Sequence, residues 1–176
     1  FFLARYERAD LSQEKKNAYG GEAYFFKAWE YYLKVLYFGD VPWLTHDLTE
    51  TSEELYGART PRAEVMDSVL MCINKAIEWL PEKSKQESDR LNKEQANFLK
   101  ARICLFEGTF RKYHTELGLQ NTANKYLEEA VKACEALIGK YSLQKAGEET
   151  YWKMFAVTDL SGNPEVILAR NYLENK

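Results

Sequence analysis

The sequence predicts an all-α chain of antiparallel helical hairpins, closed by a short irregular or strand segment at its C-terminus. Three observations predict this. Apolar residues recur at three- and four-residue intervals through four long stretches. Helix caps or breakers bound those stretches. Near the C-terminus the pattern lapses, and Val166-Ile167-Leu168 reads as a short strand.

The first stretch runs from about Ser12 to Phe38. Phe25, Ala28, Tyr32 and Val35 form one stripe, with Phe26, Trp29, Leu33 and Leu36 beside it. Two adjacent stripes predict a helix buried over most of its surface. Gly39 stops it and Pro42 prevents resumption. Thr60-Pro61 offers a hydroxyl cap with proline at the first helical position, opening a helix faced by Val65, Val69, Ile73, Ala76, Ile77 and Leu80 and ended by Pro81. Glu82 to Asp89 is polar and reads as a loop. Asn92 and Gln95 have capping-box spacing. The helix they start carries Ala96, Leu99, Ile103, Phe106 and Phe110 on one stripe, flanked by Phe98, Ala101 and Leu105. After the loop from Gly118 to Asn121, a fourth helix shows Leu127, Ala130, Val131, Cys134, Leu137 and Ile138, and Gly139 closes it. Tyr141-Ser142-Leu143 is short and extended, Tyr151 to Phe155 suits one helical turn, and Ser161-Gly162-Asn163-Pro164 is a turn cluster. The strand from Val166 to about Tyr172 needs a partner outside the chain, or else lies against the helices.

Composition bounds the function. The 176 residues are 45% hydrophobic and 29% charged, with 25 aromatic residues and only 4 Pro. A disordered or collagen-like chain is excluded. The formal charge of −3, without a dense basic patch, argues against nucleic acid as a partner. No run approaches the ~20 apolar residues of a membrane-spanning helix. Cys72, Cys104 and Cys134 lie on or beside apolar stripes without metal-ligand spacing, so all three read as small buried hydrophobes. His46 and His114 also lack ligand spacing, and no cofactor is expected. The opening Phe1-Phe2-Leu3 reads as cut from something longer.

An internal repeat organises the helices. Ala23-Tyr24-Phe25-Phe26-Lys27-Ala28 aligns with Ala96-Asn97-Phe98-Leu99-Lys100-Ala101, and Ile73, Ala76 and Ile77 with Leu127, Ala130 and Val131. Small residues at fixed positions let helices approach while large ones fill the gaps, the logic of tetratricopeptide-like hairpins. Residues 1–140 therefore read as a tetratricopeptide-like repeat region, and 141–176 as an irregular segment with a short strand leading into a further C-terminal region. A four-helix bundle is the alternative.

The same residues carry a resemblance. Gly21-Glu22-Ala23-Tyr24-Phe25-Phe26-Lys27-Ala28 resembles the "gEaRFLRAyyYf" helix of the SusD/RagB family, and Tyr37-Phe38-Gly39-Asp40-Val41-Pro42 its "fGgvPl" turn. Arg62-Ala63-Glu64-Val65 with Ala76-Ile77-Glu78-Trp79-Leu80-Pro81 is similar to its next helix. Ala96 to Gly108 resembles "aakalkARlyLyeG", Lys140-Tyr141-Ser142-Leu143 "gkYsL", and Pro164-Glu165-Val166-Ile167 "nsEvIf". Lys27 stands where the family usually has Arg, and Asp40 where it often has Gly. The resemblance implies a SusD-like α-helical fold and a binding protein rather than an enzyme. It implies a surface lipoprotein of the Gram-negative outer membrane, held by an N-terminal lipid anchor not in this chain. Such a protein passes an oligosaccharide or other nutrient to a SusC-like TonB-dependent transporter. The family's sugar site is built from variable loops, so no binding residue carries over.

Sugars stack a C–H face on aromatic rings and pair their hydroxyls with fixed polar groups. Trp43 and Tyr56, in the long loop from Gly39 to Arg59, are the first candidate ligand contacts, with Asp40, His46, Asp47 and Glu50 as polar neighbours. Tyr151 and Trp152, in the irregular part, are the second. The opposing reading has these rings covering helix ends, and the helical aromatics Trp29, Tyr32 and Phe98 are expected in the core. Glu53-Glu54 and Glu148-Glu149 are solvated loop carboxylates rather than a hydrolytic pair, which must face each other across a bond. Two rival functions remain, a peptide-binding helical-repeat scaffold and an enzyme whose active site lies outside this segment.

Overall fold

The computed structural model describes residues 2–85, 90–144, 150–160 and 162–169. Its helices are α1 (Phe2–Arg5), α2 (Gln13–Phe38), α3 (Arg62–Trp79), α4 (Lys93–Tyr113), α5 (Ala123–Glu135) and α6 (Thr150–Met154). α2 pairs with α3 and α4 with α5, and the second hairpin stacks on the first through α3 and α4. This is the repeat arrangement the sequence predicts. Buried side chains of α2, α3 and α4, with Tyr126 and Ala130 of α5, form one core.

Local chemistry sets the ends. Ser12 caps α2 by accepting from the Lys15 N–H, and Gly39 stops that helix at φ 69°, a left-handed conformation that costs a glycine nothing. The Asn92–Gln95 capping box forms as expected. The start of α3 differs from expectation. The Thr60 hydroxyl does not cap it; instead Asp40 Oδ1 accepts from the Arg62 N–H at 2.7 Å. A loop residue 22 positions upstream therefore supplies the cap.

Close approach sets the packing. A Cβ placed on Gly21 would come within 3.0 Å of Leu80 Cγ, and one on Gly108 within 2.7 Å of Leu127 Cδ2. Each hairpin thus closes where one helix has no side chain. A buried charge network then ties α3, α4 and α5. Glu107, wholly buried, accepts from Arg62 through both carboxylate oxygens, at 3.2 and 2.5 Å, and from Arg111 Nε at 2.6 Å. Arg111 also donates to the Ala63 carbonyl and the Thr122 hydroxyl. The Tyr126 hydroxyl donates to Asp67 at 2.6 Å. Burial and that hydrogen bond push the Tyr126 phenol up from its ordinary value. Burial of Asp67 opposes its charge, but Tyr126, Arg111 and Lys125 outweigh it and hold the carboxyl low.

Three expectations need correction. The second stripe of α2 is not buried: Phe26, Trp29 and Leu36 are exposed, as is Phe98 on α4. Two hairpins cannot enclose a helix on every side. On α5 the buried face is Ala123, Tyr126, Ala130 and Ala133, whereas Val131 is exposed, as is Ile138 beyond the helix end, and Cys134 is not the buried hydrophobe expected. α5 meets Gly108 through Leu127, and the Tyr126 hydroxyl accepts from buried Arg111 and donates to the more exposed Asp67. Val166–Leu168 is an irregular segment with a bend at Ile167 and Leu168 rather than a strand. It lies against the helices, with Lys83 Nζ donating to the Val166 carbonyl and Gln95 Nε2 to that of Ile167. Glu148, Glu149, Ser161 and the proposed strand end at Tyr172 fall outside the described residues.

Candidate functional site

The loop between α2 and α3 is fixed at its base. Val41 and Thr60 exchange backbone hydrogen bonds of 3.3 and 3.2 Å as an antiparallel bridge. The Trp43 N–H donates to the Thr60 hydroxyl at 3.1 Å. Leu44 is gripped at both ends of its peptide unit: its N–H donates to the Tyr31 hydroxyl at 2.9 Å, and its carbonyl accepts from Lys27 Nζ at 3.2 Å. The Lys27 ammonium also sits 4.5 Å from the Trp43 ring centre, and the Trp43 and Tyr31 rings lie 4.3 Å apart. The long loop, whose sequence reads as irregular, therefore has one wall held rigidly against α2.

Each predicted site residue has a definite place. Trp43 is half-buried in that anchored wall and packs against the core. Tyr56 closes the short 3₁₀ turn Glu53–Tyr56 and is 86% exposed. Tyr151 and Trp152 lie exposed on α6, with the Tyr151 ring edge-on to Phe155 at 5.3 Å. Among the described residues no ring contact joins any two of the four, so the structure does not bring them into one aromatic platform. Glu54 pairs with His46 Nε2 at 3.1 Å instead of facing a second carboxylate. Among the described residues no three His, Cys, Asp or Glu side chains are gathered as a metal site requires, and no helix is long and apolar enough to cross a membrane.

Two concavities flank α2. The first, about 740 Å3, lies between α1, the outer face of α2 and the loop residues Leu44, Thr45 and His46. The second, about 720 Å3, lies between α2 and α4 and is walled by Met154 and residues 165–168. Sequence reasoning missed both, because it placed their aromatic linings (Phe26 and Trp29 in the first, Trp29 and Phe98 in the second) in the core. The signal was present in the double stripe of α2, which exceeds what a two-hairpin array can cover.

Two stacked hairpins with clefts along α2 make a helical-repeat scaffold. Residues 2–105 match the SusD-like family model described as "Starch-binding associating with outer membrane". That match spans more than half the chain, and the chain belongs to this family. The family's description is of binding and of outer-membrane association. A SusD-like protein P2 of Formosa agariphila is 32% identical over 100 residues, which are 57% of this chain and 20% of that protein. A SusD-like protein of Bacteroides fragilis superposes on 95% of this chain and 29% of its own at TM-score 0.76, with 24% identity. The protein NanU of B. fragilis covers 98% of this chain and 32% of its own at TM-score 0.58, with 22% identity. Both likenesses are of fold. The chain thus spans about a fifth of the curated relative and under a third of these structural ones.

Proposed function

We propose that this chain is the helical-repeat scaffold of a cell-surface nutrient-binding protein. It captures a glycan or oligosaccharide and passes it, without hydrolysing it, to a SusC-like TonB-dependent transporter in the outer membrane. In this reading residues 1–140 are the repeat region and 141–176 an irregular segment, and a lipid anchor outside the chain holds the protein at the surface. Trp43, Tyr56, Tyr151 and Trp152 are the proposed ligand-facing rings. The observation that carries the reading is the family match over residues 2–105. The anchored loop supports it, because a sugar receptor needs rings and polar groups fixed before the ligand arrives.

Affinity electrophoresis of the full-length protein through gels containing different polysaccharides tests the glycan half. Retardation by at least one polysaccharide is expected, reduced by Trp43→Ala or Trp152→Ala; unretarded migration in every gel contradicts it. The transporter half is tested by isolating the tagged protein from outer membranes in mild detergent. A TonB-dependent transporter should co-purify, and its absence counts against the handover.

A further inference from the structure

We propose that the cleft between α1, α2 and the loop at Leu44–His46 is a glycan subsite in which Phe26 supplies the stacking ring and Thr45 and His46 supply hydroxyl partners. This rests on the carbohydrate-binding reading above and adds a location to it.

The cleft has the mixture of surfaces a pyranose needs. Phe26 is 58% exposed although it stands on an ordered helix, and its ring meets the Phe25 ring edge-on at 5.6 Å. That contact orients the ring and leaves much of it bare. Stacking a C–H face of a sugar on such a ring removes apolar surface from water on both partners. Thr45 and His46 also line the cleft, and His46 is oriented by the Glu54 carboxylate at 3.1 Å. Glu30, also in the lining, is held by Lys34 at 2.7 Å. Sugar hydroxyls both donate and accept, so a hydroxyl, an imidazole and a carboxylate held in place suit them.

The cleft is also pre-formed. Its loop wall is pinned by Lys27 and Tyr31 on both sides of the Leu44 peptide unit, and Arg5 of α1 pairs with Asp47 of the loop at 3.6 Å. Lys27 is committed to the Leu44 carbonyl and the Trp43 ring, so it serves the wall. Trp43, packed on Tyr31 and Lys27 in that wall, is not among the residues lining this cleft. The volume of about 740 Å3 fits a short oligosaccharide.

The test is fluorescence polarisation of the full-length protein with dye-labelled maltoheptaose and with labelled fragments of each polysaccharide that retards it. Phe26→Ala should raise Kd about tenfold or more, as loss of a stacking anchor does. Phe26→Tyr, which keeps the ring, should bind within about twofold of the natural protein. Thr45→Val should weaken binding about threefold through the lost hydroxyl. Met71→Ala, on the exposed side of α3, should change nothing. Far-UV circular dichroism confirms that the variants fold. If the natural protein binds but Phe26→Ala binds equally well, this subsite is wrong and the carbohydrate reading stands. If no labelled glycan binds, both fall.

Discussion

Single side chains decide whether the two hairpins stay together. Glu107 is wholly buried between two guanidinium groups, one from α3 and one from its own helix. Removing it leaves the nearly buried Arg62 without its carboxylate partner, and the buried Arg111 with only its 3.8 Å contact to Asp67. Glu107→Ala should therefore destabilise the protein by about 3–5 kcal/mol in denaturant titration; a loss under about 1 kcal/mol would show the network to be ornamental. Glu94 gives a pH test. Its burial opposes charge, but the Lys83 N–H and Lys140 hold its carboxyl below the ordinary 4.5. A carboxylate with a depressed folded-state value stabilises fully above the unfolded value, and that stability is lost as pH falls through the folded one. Melting temperature should therefore fall below pH 4.5, and Glu94→Gln should flatten that fall. An unchanged acid profile in Glu94→Gln would remove Glu94 from this role.

At the scale of elements, caps carry the predictions. Asp40 closes the N-terminus of α3 from the far end of a loop, so Asp40→Ala should cost about 0.5–2 kcal/mol. Thr60→Val should cost less at the helix start and should instead loosen Trp43, whose N–H it accepts. Equal losses, with no change in Trp43 fluorescence for Thr60→Val, would mean that the cap is misassigned. This exchange marks the limit of reading elements from sequence. Gly39 and the Asn92–Gln95 box are local signals, and each was legible. The cap of α3 is a long-range contact, and no spacing rule reports it. The α5 face was read only in part. Leu127 and Ala130 do face inward, Leu127 against Gly108, but Val131 looks more hydrophobic than Ala133, and it is Ala133 that is buried.

For the whole molecule, the hairpin order was legible because Ala and large apolar residues repeat in register between the first and second halves. The candidate site was less legible. Sequence alone tells that a ring is apolar; it does not tell whether a neighbouring helix covers it. Phe26 and Trp29 were placed in the core for that reason, and they line clefts instead. The exposed rings, the pinned loop and the family's outer-membrane association support the proposed account, in which a rigid helical scaffold presents fixed surfaces to a glycan. Its most direct test is a calorimetric titration of the full-length protein with a broad panel of soluble oligosaccharides. The account predicts saturable heat with at least one of them, weakened by Trp43→Ala and Trp152→Ala. A flat thermogram for every oligosaccharide would contradict it.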